Sequence, residues 1–286
     1  MGLLRFVATL GLLLAATPAW AQGGESSSRV LESAAVRWKE LRFAGHKAGI
    51  SATVDLRLDR VADGLSDGLL LESTTHLPGR TFVARERVDP ARAGAREIAD
   101  TETGVKHHRK TYTLRERGFE LDLLEPASLP EMLLPPEQWT KLSRSFIPYP
   151  RALAPGTAIT GPAGLLYATA TSGLTSQGDS MTIHVLVQTQ VERVTVRVEG
   201  TDLVDLAFDA RSRGGVSAVR EQLSALRLVA HSQPVDPASS SAFRIFGLEG
   251  DVRILWDPGR GLPVELSGHV KMLGHVEVRL ASATLL

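Results

Sequence analysis

Two histidines and a glutamate near the end of the chain are the residues best spaced to hold a metal ion. His269 and His275 flank a turn expected at Lys271–Gly274, and Glu277 follows on the same polar face as Glu265. Pairing across that turn sets His269 beside His275 or Glu277. Two imidazoles and a carboxylate suit zinc. The alternative is the exposed polar face of an amphipathic hairpin. His107-His108 is a poorer pair, because neighbours on a strand point to opposite faces.

Other chemistries find less support. No serine sits in a Gly-x-Ser-x-Gly elbow, and no Ser-x-x-Lys stands in a context that suggests catalysis. Gly161-Pro162-Ala163-Gly164 is glycine-rich but lacks the lysine, and shows no sign of the helix, of a phosphate loop. Gly214-Gly215 suits an anion at a helix start, and equally a tight turn. Asp55, Asp59 and Asp63 lack the glycine and closing glutamate of a calcium loop. No cysteine is present, which excludes thiolate metal sites, disulfides and thiol nucleophiles. No catalytic residue and no cofactor is assigned on these grounds.

The elements that would position these groups are strands. Ile50, Ala52, Val54, Leu56 and Leu58 alternate with polar residues, a period of two that sends one set to a core. The pattern recurs at Met181–Val187, at Val194–Val198, at Val252–Trp256 before Asp257-Pro258-Gly259, and at Val264–Val270 and Val276–Leu280. A turn is expected at Gly200-Thr201-Asp202, after which Val204, Leu206 and Phe208 resume the apolar set. Weaker strands are expected at Leu69–Thr75, Arg80–Val88, Lys106–Arg117 and Phe119–Leu124. Val30–Glu40 reads as a short helix or a first strand. This predicts a mainly β protein, a curved antiparallel sheet or partly open barrel.

Helices are few. Pro135-Pro136 introduces an expected helix over Glu137–Phe146, with Trp139, Leu142 and Phe146 on one face. Val216–Leu226 is a second candidate, or a loop feeding a strand through Leu226–Val229. The Pro-rich stretch 126–162 is expected to be a helical crossover within a single domain. Its apolar residues Leu133, Leu134, Trp139, Leu142 and Phe146 would then cover a cavity under the sheet.

The first twenty-one residues indicate export. Arg5 precedes the apolar run Phe6–Ala16, Pro18 breaks it, and Ala19-Trp20-Ala21 places small residues where a signal peptidase reads. Cleavage is expected between Ala21 and Gln22, followed by a disordered stretch over 22–29. The run is short for a membrane span, so no transmembrane segment is expected in the mature chain. Without cysteine the mature N-terminus is not expected to be lipidated. The expected compartment is the periplasm. Basic and acidic residues balance at 32 each, which is not the footprint of a nucleic-acid binder. Aromatic content of 5% argues against a carbohydrate module built on stacked rings.

Two segments carry a family resemblance. Leu41-Arg42-Phe43 leads into Gly45-His46-Lys47-Ala48-Gly49 and the strand from Ile50. Trp256-Asp257-Pro258 precedes Gly261-Leu262-Pro263-Val264, then Leu273-Gly274 and a terminal strand. The chain thereby resembles an exported bacterial family known as domain of unknown function 3108. The resemblance implies a curved antiparallel sheet, similar to the half barrel of lipoprotein carriers, and implies no catalytic residues.

The leading expectation is therefore a non-enzymatic periplasmic protein that binds a lipid or acyl group, or assists an envelope component. The alternatives are an interaction scaffold that uses an open sheet edge, and a hydrolase with a dispersed site.

Overall fold

The computed structural model describes residues 36–63, 66–241, 243–271 and 273–286. Eight consecutive strands form the first part of the sheet: β1 (Trp38–Lys47), β2 (Ile50–Asp63), β3 (Ser66–Leu77), β4 (Arg80–Val88), β5 (Ala95–Gly104), β6 (His108–Leu114), β7 (Gly118–Glu125) and β8 (Lys141–Pro148). The rest comes from β9 (Ile159–Thr160), β10 (Ser180–Val187), β11 (Gln190–Ser212), β12 (Gly215–Pro234), β13 (Arg244–Ile245), β14 (Leu248–Asp257), β15 (Leu262–Val270) and β16 (Gly274–Leu285).

All sixteen join one curved sheet in the order β8-β7-β6-β5-β4-β3-β2-β1-β16-β15-β14-β12-β11-β10-β9, with β13 beside β14. Pairing is antiparallel except for β9 with β10 and the far half of β11, which returns to run parallel to β16 at Asp209–Arg211. The mainly β, curved-sheet expectation holds.

One face of β1–β8 carries the core. Leu41 and Phe43 stand opposite Leu56 and Val54, and Leu71 opposite Glu86. All these apolar side chains are buried with Val252, Ile254 and Leu266 in the main core. A second cluster joins Ile98, Tyr112 and Phe119 to Ile159, Leu186 and Val191, so the β10–β11 turn packs on β5–β7.

Several elements differ from expectation. Residues 137–146 do not form a helix. Pro136–Gln138 is a single 3-10 turn, and 141–148 is strand β8. Val216–Leu226 is part of β12, which pairs with β11 along its whole length. Gly200-Thr201-Asp202 is not a turn, because β11 runs through it with a register shift at Gly200. Positive φ at Gly200, +153°, favours glycine at that bulge. β5 was not expected at all. The export signal and 22–29 lie outside the described residues, as does the first part of the expected segment Val30–Glu40, whose described part leads into β1.

Two α-helices occur among the described residues: α1 (Leu129–Met132), inside the crossover, and α2 (Pro162–Thr171), at its end. Helix α2 is buried on nearly every side and packs on β3, β4 and β10. Its N-terminus receives the side chain of Glu86. Oε1 accepts from the Ala163 N–H at 2.7 Å, and Oε2 accepts from the Gly161 and Gly164 N–H groups at 3.0 and 2.9 Å. The Thr160 hydroxyl adds a longer contact of 3.4 Å. A strand carboxylate thus satisfies the orphan donors of the helix.

Burial pushes the Glu86 carboxyl up to about 7, against the downward pull of those N–H donors. Gly161 and Gly164 are required by the same contact, because a Cβ at either would run into the Glu86 carboxylate.

Candidate interaction surface

The crossover between β7 and β8 is a tethered loop. At its base Glu131 accepts from the Ala127 N–H at 2.9 Å, the Thr140 N–H at 3.0 Å and the Thr140 hydroxyl at 2.8 Å. These bonds hold the Glu131 carboxyl below the usual carboxylate range. Trp139 is buried, donates from Nε1 to the Leu134 carbonyl at 3.2 Å, and meets the His107 ring edge-on. Arg109 reaches Glu137 at 3.5 Å. With its base so fixed, the loop turns Leu129, Leu133 and Leu134 outward at 78%, 89% and 41% exposure.

Strand β8 continues from this loop and ends the sheet. No strand among the described residues pairs with its other side. The Tyr149 N–H donates to the Arg117 carbonyl at 3.1 Å. In an antiparallel ladder that bond fixes the alternation. Residues 141, 143, 145 and 147 therefore turn their backbone groups to β7. Leu142, Arg144 and Phe146 turn theirs to the open edge, up to Pro148, which has no N–H.

The same three side chains lie on the face away from the core. Ile147 pairs with Phe119 and packs in the second cluster, so its neighbours point the other way. Leu142 is 47% exposed and Phe146 is 55% exposed. Arg144 Nε meets Asp122 at 3.3 Å, and Lys141 meets Glu125 at 2.8 Å. The Lys141 ammonium holds the Glu125 carboxyl below its ordinary value. In both pairs the cation is the more exposed member.

Of the five residues expected to cover a cavity, Trp139 is buried under its own loop. Leu133, Leu134, Leu142 and Phe146 face outward. The covering role falls to α2, whose Leu165, Leu166 and Tyr167 are fully packed into the core. Clefts open on the surface among the described residues. One, of about 230 Å³, lies among Asp89, Arg96, Arg115, Tyr149, Thr157 and Ile159. Another, of about 290 Å³, lies among Glu40, Arg42, Asp55, Arg57, Glu72 and Arg211. Both are lined by charges of both signs.

The expected metal ligands come together only in part. His269 stands across from His275, as the hairpin pattern required. His275 Nε2 is 3.9 Å from Glu277 Oε1. Among the described residues no group of three such side chains is close enough to hold a metal ion. His231 Nδ1 lies 2.7 Å from Asp251, but both are exposed on the sheet and neither lines either of these two clefts.

Sequence reasoning missed Glu86, Glu131 and the outward row of β8. The signal for β8 was present: Ser143 and Ser145 alternate with Leu142, Arg144 and Phe146 up to a proline.

No family model matches the chain, and no curated protein does. The resemblance to domain of unknown function 3108 is thus not borne out at the level of family. A solved structure from Parabacteroides distasonis, of a protein described provisionally as a lipoprotein, aligns with 87% of this chain and 95% of its own at 12% identity and a TM-score of 0.24.

Proposed function

We propose that this is a non-catalytic accessory protein of the bacterial envelope, which works by pairing an extended segment of a partner protein with the open edge of β8. The observation that carries the reading is the row of outward backbone groups at Leu142, Arg144 and Phe146, beside a tethered loop that presents Leu129 and Leu133. Strand addition uses such an edge for affinity and its alternate side chains for specificity. Natural edges are usually short, covered or twisted away. The export signature at the N-terminus and the absence of cysteine support the periplasm as its place of work.

The lipid or acyl reading draws less support. Ligand pockets usually run from about 300 to 1,000 Å³ and are mostly apolar. The two clefts described above are smaller and lined by charges of both signs.

A photo-crosslinking residue in place of Phe146 tests the proposal in intact cells. The expected result is one protein adduct, absent when the probe replaces Leu203 and absent when Arg144→Pro blocks the edge. Stoichiometric lipid in an organic extract of the purified protein, without such an adduct, would return the hydrophobic-ligand reading to first place.

A further inference from the structure

We infer that the strand accepted by β8 carries an acidic residue directly across from Arg144, with apolar residues two positions to either side. The inference rests on the edge-pairing reading above and names the chemistry of the partner.

The argument is one of register and charge. A strand added to an edge places its alternate side chains against those of its neighbour. On the outer face of β8 that row reads Leu142, Arg144, Phe146. A residue across from Arg144 on the outer face meets a guanidinium. Its ion pair with Asp122 uses Nε. A guanidinium carries five N–H donors, more than one carboxylate uses, so a second carboxylate can still be bound as a fork. Arg144 is the more exposed member of that pair, at 73% against 42%. An incoming strand therefore meets positive charge first. Leu142 and Phe146 flank it and gain most from apolar neighbours, since both are about half exposed. On the other face Ser143 and Ser145 ask only for small polar residues. The recognised pattern is apolar, polar, acidic, polar, apolar.

Other occupants fit less well. A second copy of this chain, paired antiparallel about Arg144, sets Leu142 against Phe146 but also Arg144 against Arg144. Like charges directly opposite are destabilising. A bilayer offers no partners for the free N–H and C=O groups of the edge.

The test uses the full chain and two blocked peptides. One has the core Ile-Thr-Glu-Thr-Phe, and the other replaces its Glu with Lys. Fluorescence anisotropy at low salt should show the Glu peptide binding at least about ten-fold more tightly. Arg144→Glu should reverse the order, with its thermal midpoint checked against the wild type. Arg144→Pro should abolish binding of both peptides. Equal binding of the two peptides, lost in Arg144→Pro, would overturn the charge rule and leave edge pairing intact. Binding that persists in Arg144→Pro would overturn both. Self-association of the wild type that Arg144→Pro abolishes, with no peptide bound, would make the second copy the occupant and overturn the inference.

Discussion

The carboxylate of Glu86 and the backbone N–H of Ala163 meet at 2.7 Å, 77 residues apart in the chain. That bond and its two neighbours fix where α2 enters the core. Glu86→Ala leaves three buried N–H groups without an acceptor and opens a void beneath them. Each unsatisfied buried group costs about 1–3 kcal/mol. A loss of about 3 kcal/mol or more is expected, read as a lower urea midpoint with an unchanged slope. Glu86→Gln should cost less, because one oxygen remains to accept.

The same side chain makes stability depend on pH with a definite sign. Its folded-state value is about 7, above the ordinary 4.5. Between those values the folded chain holds a proton that the unfolded chain has released. The contribution is complete below pH 4.5 and is lost as pH rises through 7. A shift of that size corresponds to at most about 3 kcal/mol. Asp100, raised to about 6 by burial, acts in the same direction. The urea midpoint of the wild type should fall between pH 4.5 and 7.5. Glu86→Gln should flatten that slope, leaving the part due to Asp100 and the opposing part from His108 and His184, whose burial lowers their values. An identical slope in both proteins would remove Glu86 from the account.

Gly161 and Gly164 give a third test. Their spacing invites comparison with a phosphate loop, and the contact explains the glycines differently. They let a carboxylate of the same chain approach the helix start. Alanine at Gly164 also collides with the Thr160 hydroxyl. Gly164→Ala should therefore destabilise by about 2 kcal/mol or more. Gly214→Ala, where an added Cβ meets nothing closer than the Ser212 hydroxyl at 3.7 Å, serves as the control and should cost less. Inorganic phosphate should stabilise neither the wild type nor the variants, because the anion site is already filled.

How much of this was legible follows from which side chains feel a two-sided environment. β2 and β16 alternate cleanly because one face is core and the other is water, whereas β10, β14 and β15 keep the period of two in residue type but are buried on both faces over part of their length. The half of β12 from Gly215 to Ser224 buries no side chain fully and carries no period of two in its apolar residues, and Val216, Val219 and Leu223 fall at a helical spacing. Its strand state comes from pairing with β11. Helix α2 escaped notice for the opposite reason. It is buried all round, and no amphipathic period marks it. Trp139, Leu142 and Phe146 match a helix spacing, while the backbone from Lys141 follows the ladder set by β7. The His269–His275 juxtaposition was readable because a tight hairpin determines its own register.

The division between structural and outward apolar residues in the crossover yields a fourth prediction. Trp139 is 4% exposed and its indole N–H is satisfied within the loop. Leu133 and Phe146 are 89% and 55% exposed. Surface substitutions away from special features change stability by about 0.5 kcal/mol or less. The double variant Leu133→Ser, Phe146→Ser should therefore keep the wild-type urea midpoint while losing binding of the Ile-Thr-Glu-Thr-Phe peptide. Trp139→Ala removes a packed indole and should cost about 3 kcal/mol. That loss should concentrate in the loop, because Trp139 holds Leu134 and His107 rather than the main core. Hydrogen exchange separates the two outcomes. Amides from Ala127 to Thr140 should lose protection in Trp139→Ala while those of β14 and β15 keep theirs. Equal loss of protection throughout would mean that the loop and the sheet unfold as one unit.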